Sequence, residues 1–331
     1  MKRILLLATG GTIASKSGER GLVPTLHSEE LLRYLDRYRE DFVFDAEDIL
    51  DLDSSNIQPE EWVLIARRVH SALEHYDGVL ITHGTDTLAY TAAALSFMLG
   101  KVRQSVVITG SQLPIENPLT DATTNLFTAM EVIRMGIRGV TVAFDRKIIR
   151  GTRAVKVSTM GFDAFKSVNA EYIGEIYADG TRLYSPFETN TTEAPKLLDE
   201  LCTDVFLLKL IPGTRPELLD RILDMGYRGL VIEAFGAGGI HYLNRDLLTR
   251  LNRLVDAGIP VVICSQCLYE KCDFTIYEVG HKILAQGIIP GRDMTTEAAV
   301  TKLMWALGQT EDMKEIRRIF DTDYVGEVSL E

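Results

Sequence analysis

ILLLATGGTIAS, residues Ile4 to Ser15, and GVLITHGTDTLAY, residues Gly78 to Tyr90, are the two stretches that decide how this chain folds. In each, a run of aliphatic residues delivers the chain to a tight turn where Thr stands beside Gly. A run that is apolar on both faces reads as a strand covered on both sides, which points to a mostly parallel sheet flanked by helices. Glycine in the turn permits positive φ and close backbone approach, so a small polar ligand can reach main-chain N–H groups there. Threonine hydroxyls from two such turns, meeting at one edge of a sheet, suit nucleophilic chemistry on an amide or ester.

Outward from these stretches the same succession of aliphatic run, short turn and amphipathic segment recurs. Strands are expected at 3–8, 79–82, 106–109, 140–144, 205–210, 230–234 and 261–264. Helices are expected at 60–75, 87–99, 122–135, 217–225, 246–257 and 295–307. Pro59 ahead of Glu60 and Glu61, and Asp293-Met294-Thr295, are helix-start signals. MGIRGVTVAF from Met135 and MGYRGLVIEAF from Met225 echo one another, and read as one short helix-to-strand loop used twice. From Asp179 to Glu200 the pattern lapses into DGTRLYSPFETNTTEAPKLLDE, polar and with two prolines, which reads as a linker. The expected fold is α/β in two domains. A larger N-terminal domain with a mostly parallel sheet flanked by helices takes 1–180, the linker 181–203, and a smaller doubly wound α/β domain 204–331.

A length of 331 residues fits two domains of ordinary size. With 46% of residues apolar and 25% charged, the composition is that of a soluble globular protein. No apolar run approaches membrane-spanning length. A formal net charge of −12 argues against a nucleic-acid surface. The opening MKRILLLA sets two basic residues before an apolar run too short for a signal peptide, so no leader is expected and the cytoplasm is the expected compartment. Cys202, Cys264, Cys267 and Cys272 are too few for a disulfide framework, and the single CxxC has no partner pair at zinc-site spacing. Cys264 is expected to end a buried strand and Cys267 to pack beneath a loop. No metal and no cofactor is suggested.

Several residues carry candidate chemistry. Thr12 follows Gly10-Gly11 directly after a buried strand, and ligands in open α/β sheets bind outside the carboxyl ends of the strands. The competing reading is an ordinary turn threonine bonded to its own backbone. No Gly-Lys-Ser/Thr follows, which excludes a Walker-type phosphate loop, and the last glycine of a dinucleotide fingerprint begun at Gly236 would fall on His241. Thr85 and Asp86 open a helix, where either serves as an N-cap. Yet His83-Gly84-Thr85-Asp86-Thr87 crowds four hydrogen-bonding side chains around one glycine, more than capping requires. In GTRAVKVST, alternation puts Thr152, Ala154 and Lys156 on one face, with a solvated lysine as the default. Asp53-Ser54-Ser55-Asn56 is a polar knot readable as an Asx or Ser turn.

In combination these segments carry a family likeness. TGGTIA, DSS, HGTDTLAYTAAALSFML, VITGSQLP (Val107 to Pro114), MGFDAF (Met160 to Phe165) and GRDMTTEAAVTKLMW resemble the L-asparaginase family, most closely its cytoplasmic type I branch, over essentially the whole chain. The resemblance implies an amidohydrolase that turns L-asparagine into L-aspartate and ammonia without a cofactor. It makes Thr12 the nucleophile, whose attack on the side-chain amide carbon releases ammonia and leaves a β-aspartyl ester. Water activated near Thr85 then hydrolyses the ester. Lys156 becomes the base acting through the Thr85 hydroxyl, and backbone N–H groups at the glycine turns hold the oxyanion. Asp86 pairs with the substrate α-ammonium, and Ser54, with Asp53 and Ser55 alongside, grips the α-amino-acid end. The family also implies self-association as a homodimer or homotetramer, with no nucleic-acid or membrane partner.

The departures are as informative as the matches. Leu22 stands where many members carry a loop tyrosine, and Trp305 falls near a second tyrosine of some relatives. Activation is therefore expected from Thr85–Lys156, or from Tyr90 or Tyr269 moving in. Glu233 stands where some type I enzymes use an arginine for an activating asparagine, and a carboxylate cannot replace that guanidinium. Hyperbolic asparagine kinetics are expected, and a sigmoidal rate curve would contradict this. Two alternatives stand beside the enzyme reading. One is an amino-acid-binding sensor on an inactive asparaginase fold. The other is an asparaginase-like amidotransferase subunit; such subunits carry an added N-terminal domain, whereas TGGT here begins at residue 9.

Overall fold

A computed structural model describes residues 1–18, 21–24, 26–184, 196–276 and 278–330. The chain divides into two compact units, Met1–Asp199 and Glu200–Glu331. Strands of the first unit are β1 (Lys2–Gly10), the hairpin β2 (Ser15–Gly18) and β3 (Gly21–Pro24), β4 (Phe42–Leu52), β5 (Gly78–Thr82) and β6 (Ser105–Thr109). They continue with β7 (Gly139–Phe144), β8 (Lys147–Arg150), the hairpin β9 (Ala154–Lys156) and β10 (Phe165–Ser167), then β11 (Gly174–Tyr177) and β12 (Gly180–Leu183). Its helices are α1 (Ser28–Leu32), α2 (Pro59–Ala72), α3 (Leu88–Leu99) and α4 (Ala122–Met135).

Eight of these strands form one sheet in the order β12-β11-β8-β7-β6-β5-β1-β4. From β4 to β7 the neighbours are parallel, and from β7 to β12 antiparallel. The central strands are buried on both faces: Ile4 and Leu6 pack with Leu126 and Met130 of α4, while Leu5 and Leu7 on the other face are equally buried. Helix α3 is buried at every residue but Tyr90, which explains an apolar composition with almost no polar stripe.

The second unit has four parallel strands, β13 (Val205–Lys209), β14 (Gly229–Ala234), β15 (Val261–Ser265) and β16 (Ile289–Pro290), in sequential order. Its helices are α5 (Glu217–Asp224), α6 (Leu247–Asp256), α7 (Glu278–Ala285), α8 (Thr296–Gln309) and α9 (Met313–Phe320). Leu230, Ile232 and Ile263 face Leu219, Leu251 and Ile283 of α5, α6 and α7. On the other face, Leu303 and Leu307 of α8 come against Gly229, where an added Cβ would lie within 3.0 Å of both side chains.

Three expectations are corrected. β4 was absent from the expected strands: it is an edge strand whose acidic, half-exposed residues hide the aliphatic run that marks the buried strands. Thr181 to Leu183, expected to begin the linker, belong to β12, which folds back on β11 after Asp179-Gly180, with Gly180 at a φ of 127°. The rest of that linker stretch includes 185–195, outside the described residues. Cys264 ends the buried part of β15, but Cys267 is exposed instead of packed beneath a loop, because the chain turns outward after Ser265.

Candidate active site

The turns after β1, β4, β5 and β6 meet at the carboxyl edge of the large sheet. Chain order reverses beside β1, since β4 lies on one flank of it and β5 on the other; this is the switch point at which such sheets bind ligands. Gly11 has a φ of 78°, and a Cβ there would lie 2.5 Å from both Cα and N of Gly84. On Gly84 a Cβ would lie 2.7 Å from Ser54 Oγ. Only glycine lets these turns touch backbone to backbone. Thr12 and Thr85, each the next residue along, are thereby brought onto adjoining turns.

Thr12 opens a single 3-10 turn, Thr12–Ala14, and is partly exposed. Its hydroxyl bonds to no described residue, unlike a turn threonine that spends its oxygen on its own backbone. After β4, Ser54–Asn56 forms a second 3-10 turn. Ser54 is buried: its Oγ accepts the Asp86 N–H at 3.2 Å and its carbonyl accepts the Thr87 hydroxyl at 2.7 Å. Asp53 accepts the Ser55 N–H at 2.8 Å and the Ser55 hydroxyl at 2.5 Å. Those two bonds, with the Lys156 charge adding to them, hold the Asp53 carboxyl below its ordinary range against a smaller opposing effect of burial.

After β5, His83 is wholly buried. Its Nδ1–H donates to the Gly84 carbonyl at 2.7 Å, which leaves Nε2 to accept the Thr91 hydroxyl at 2.9 Å. Burial pushes the ring down to about 4, so at neutral pH it is an uncharged strut under the Gly84 turn. Next to it, Lys156 Nζ donates to Thr85 Oγ1 at 2.7 Å and to Asp86 Oδ1 at 2.6 Å. The lysine side chain is only 17% exposed, whereas Asp86 is 64% exposed and keeps an oxygen open to solvent. Thr85 in turn donates to Gln112 Oε1 at 3.3 Å. The arrangement sets the Lys156 nitrogen against the Thr85 hydroxyl beside an open carboxylate oxygen of Asp86, which can hold a cationic ligand group.

Comparison with known proteins gives this geometry its family. The model described as "Asparaginase, N-terminal" matches residues 3–188, and that described as "Glutaminase/Asparaginase C-terminal domain" matches 204–320. The chain belongs to the asparaginase family. An L-asparaginase of Thermococcus kodakarensis is 45% identical over 329 residues, 99% of either chain. The solved thermostable L-asparaginase from that organism has a TM-score of 0.92 at 44% identity, covering 99% of this chain and 100% of that one. L-asparaginase I from Vibrio cholerae follows with a TM-score of 0.89 at 30% identity, over 99% of each chain. A glutamyl-tRNA(Gln) amidotransferase subunit of Pyrococcus abyssi is 35% identical over 341 residues, 99% of this chain and 77% of its own length.

Within this asparaginase fold the sequence-derived residues Thr12, Asp53, Ser54, Ser55, Thr85, Asp86 and Lys156 come from three separate turns and one hairpin strand of the first unit. Several details differ from expectation. Neither Thr85 nor Asp86 caps α3; Thr87 occupies that position without a side-chain cap bond, because Asp86 is engaged by Lys156. Lys156 is not the solvated lysine of the default reading, since the β9–β10 hairpin returns it to the sheet edge. The Ser55 hydroxyl is committed to Asp53, and the Gly11 N–H to the Leu52 carbonyl at 2.9 Å, which removes both from the available donors.

Gln112 and Asp121 were not singled out from sequence. They stand in and after VITGSQLP, which has the same buried-strand-then-glycine signal as the two opening stretches, and that signal points to them. Leu22 lies in β3, with its side chain outside the described residues. Tyr90 sits in the first turn of α3, partly exposed, and Tyr269 is exposed in the second unit. Trp305 is buried in α8 edge-to-face with Tyr324. Glu233 accepts the Thr296 hydroxyl at 2.8 Å and pairs with Lys209 at 3.1 Å. No helix of the described residues is long and apolar enough to cross a membrane.

Proposed function

We propose that this protein hydrolyses L-asparagine to L-aspartate and ammonia, with Thr12 as nucleophile. The observation that carries the reading is the Lys156–Thr85–Asp86 cluster, standing on the turn that touches Gly11 backbone to backbone. The 45% identity to an L-asparaginase over nearly the whole of both chains supports the substrate. Thr12 Oγ attacks the side-chain amide carbon, and its proton leaves through the Thr85–Lys156 pair to the departing nitrogen. Ammonia and a β-aspartyl ester result. Water then adds to the ester, giving its proton by the same route and restoring the Thr12 hydroxyl as aspartate departs. The free oxygen of Asp86 pairs with the substrate α-ammonium, and Ser54, with Asp53 and Ser55 framing it, orients the amino-acid end. With the Gly11 N–H committed elsewhere, the oxyanion falls to the Thr12 N–H and its neighbours; one such donor is commonly worth about 3 kcal/mol. The assembly is proposed as a homodimer or homotetramer in the cytoplasm.

Ammonia release from L-asparagine and L-glutamine by the purified protein tests this, beside Thr12→Ala and Lys156→Ala. Thr12→Ala is expected to abolish turnover, and Lys156→Ala to lower kcat by roughly a hundredfold or more. Near-native turnover in Lys156→Ala would remove the Thr85–Lys156 base from the mechanism. Asparagine and glutamine differ by one methylene, worth about 1–3 kcal/mol of discrimination, so their ratio comes from the same assay.

A second reading is favoured by the 35% identity to an amidotransferase subunit: an amidase that feeds ammonia to a partner enzyme. Free hydrolysis of asparagine at a full rate by the isolated protein would exclude it. A third, an asparagine sensor, requires binding without any ammonia release.

A further inference from the structure

Gln112 touches Thr85 on one side and the turn that follows Lys156 on the other. Its Nε2 donates to the carbonyls of Thr159 and Gly161, at 3.2 and 3.0 Å. Carbonyls only accept, so the amide is oriented with Oε1 toward Thr85, and the Thr85 hydroxyl must be the donor in their 3.3 Å contact. Lys156 Nζ donates to the same hydroxyl at 2.7 Å. In this arrangement the Thr85 proton lies toward Gln112 and one lone pair toward Lys156, so passing a proton on to Lys156 requires the hydroxyl to turn from Gln112 to Nζ about an oxygen that both neighbours hold in place.

The base of Gln112 is anchored as well. Its N–H reaches both oxygens of Asp121 at 3.0 Å, and Asp121 also accepts the Leu113 N–H at 3.1 Å and Asn125 Nδ2 at 3.0 Å. Asp121 is buried, so this clamp works away from competing water. At the other end, Thr159 and Gly161 lie in the turn between β9 and β10, directly beyond Lys156. The charged groups facing Lys156 are Asp86, at 2.6 Å, and Asp53. Neither holds the turn to which Gln112 is tied.

We propose that Gln112 is a positioning residue for the reaction: one amide holds the Thr85 hydroxyl oxygen in reach of Lys156 and ties the turn beyond Lys156 to it. The proposal rests on the Thr85–Lys156 base described under the proposed function. Because Gln112 acts through Thr85 and Lys156, losing it should slow the chemical step without weakening asparagine binding.

Gln112→Leu and Gln112→Glu test it. Leucine removes every side-chain bond; glutamate keeps the reach and an acceptor for Thr85 but turns an oxygen toward two carbonyls. In both, kcat for asparagine is expected to fall roughly ten- to a hundredfold with KM nearly unchanged, the scale of a catalytic group misplaced by about an ångström. A kcat per folded molecule within twofold of wild type in Gln112→Leu overturns the proposal. So does a raised KM with kcat intact, which would make Gln112 a substrate contact. Acetylation of Lys156 by acetic anhydride, read by peptide mass, needs no turnover; it is expected to run several-fold faster in both variants than in wild type. A wild-type protein inert toward asparagine would remove the functional reading alone, and equal Lys156 labelling in variant and wild type would then overturn the positioning role itself.

Discussion

His83 is closed off from water and still has both ring nitrogens bonded, one to the Gly84 carbonyl and one to Thr91. Its ring stays neutral in the fold down to about pH 4, while in the unfolded chain it takes a proton near the ordinary 6.5. Between those values the unfolded state binds more protons than the native one. The stability His83 contributes is therefore complete above pH 6.5 and lost progressively as pH falls toward 4, by about 3 kcal/mol. Urea unfolding at several pH values is expected to show that decline in wild type and a flatter slope over the same window in His83→Gln. At this scale the sequence was explicit about residue types: HGTDT and TGGT mark the candidate groups by their density of hydroxyls around glycine. It was silent on allocation. That Ser55 is spent on Asp53, and that Asp86 meets Lys156 instead of capping a helix, depends on which neighbour is nearer, and sequence carries no distances.

At the scale of elements, the turns after β1, β4 and β5 form a joint that works only because side chains are missing from it. Gly11→Ala would put a Cβ 2.5 Å from the Gly84 backbone at a φ of 78°, and backbone cannot yield as a flexible side chain does. The substitution is expected to cost roughly 2–5 kcal/mol and to depress asparagine turnover in the molecules that still fold. A melting temperature and rate equal to wild type would show that the joint tolerates opening. Buried elements were the legible ones. The helix over Ala122–Met135 was read residue for residue, and β5, β6 and β7 to within a residue, because aliphatic runs and a left-handed glycine at Gly136 leave few alternatives. β4, β9, β10, β11 and β12 were not legible for the opposite reason: they are short or half-exposed, and none carries the fully buried aliphatic run that marks the central strands.

At the scale of the whole molecule, each unit has its own buried cluster among the described residues, and each carries a polar fixture. In the second unit Lys302 and Glu327 are wholly buried with 2.5 Å between them. Lys302 also donates to the Thr322 carbonyl at 2.8 Å, while Glu327 accepts the N–H groups of Tyr324 and Val325 at 3.1 and 2.8 Å. This fixture ties the chain end to α8. Removing one partner strands the other charge, so Lys302→Met is expected to destabilise the second unit by about 3–5 kcal/mol. Adding Glu327→Gln to it should recover part of the loss. Urea unfolding followed by fluorescence separates the units, since Trp62 lies in the first and Trp305 in the second. By itself the sequence determined the fold class, the family and the kinds of side chain at the candidate site, because aliphatic periodicity and glycine-hydroxyl turns are local patterns. Only the tertiary structure decided the rest: that Lys156 is sheltered, that Gln112 joins Thr85 to the β9–β10 turn, and that Gly11 abuts Gly84. Those contacts link residues tens of positions apart, and they exist only where packed strands bring their ends together.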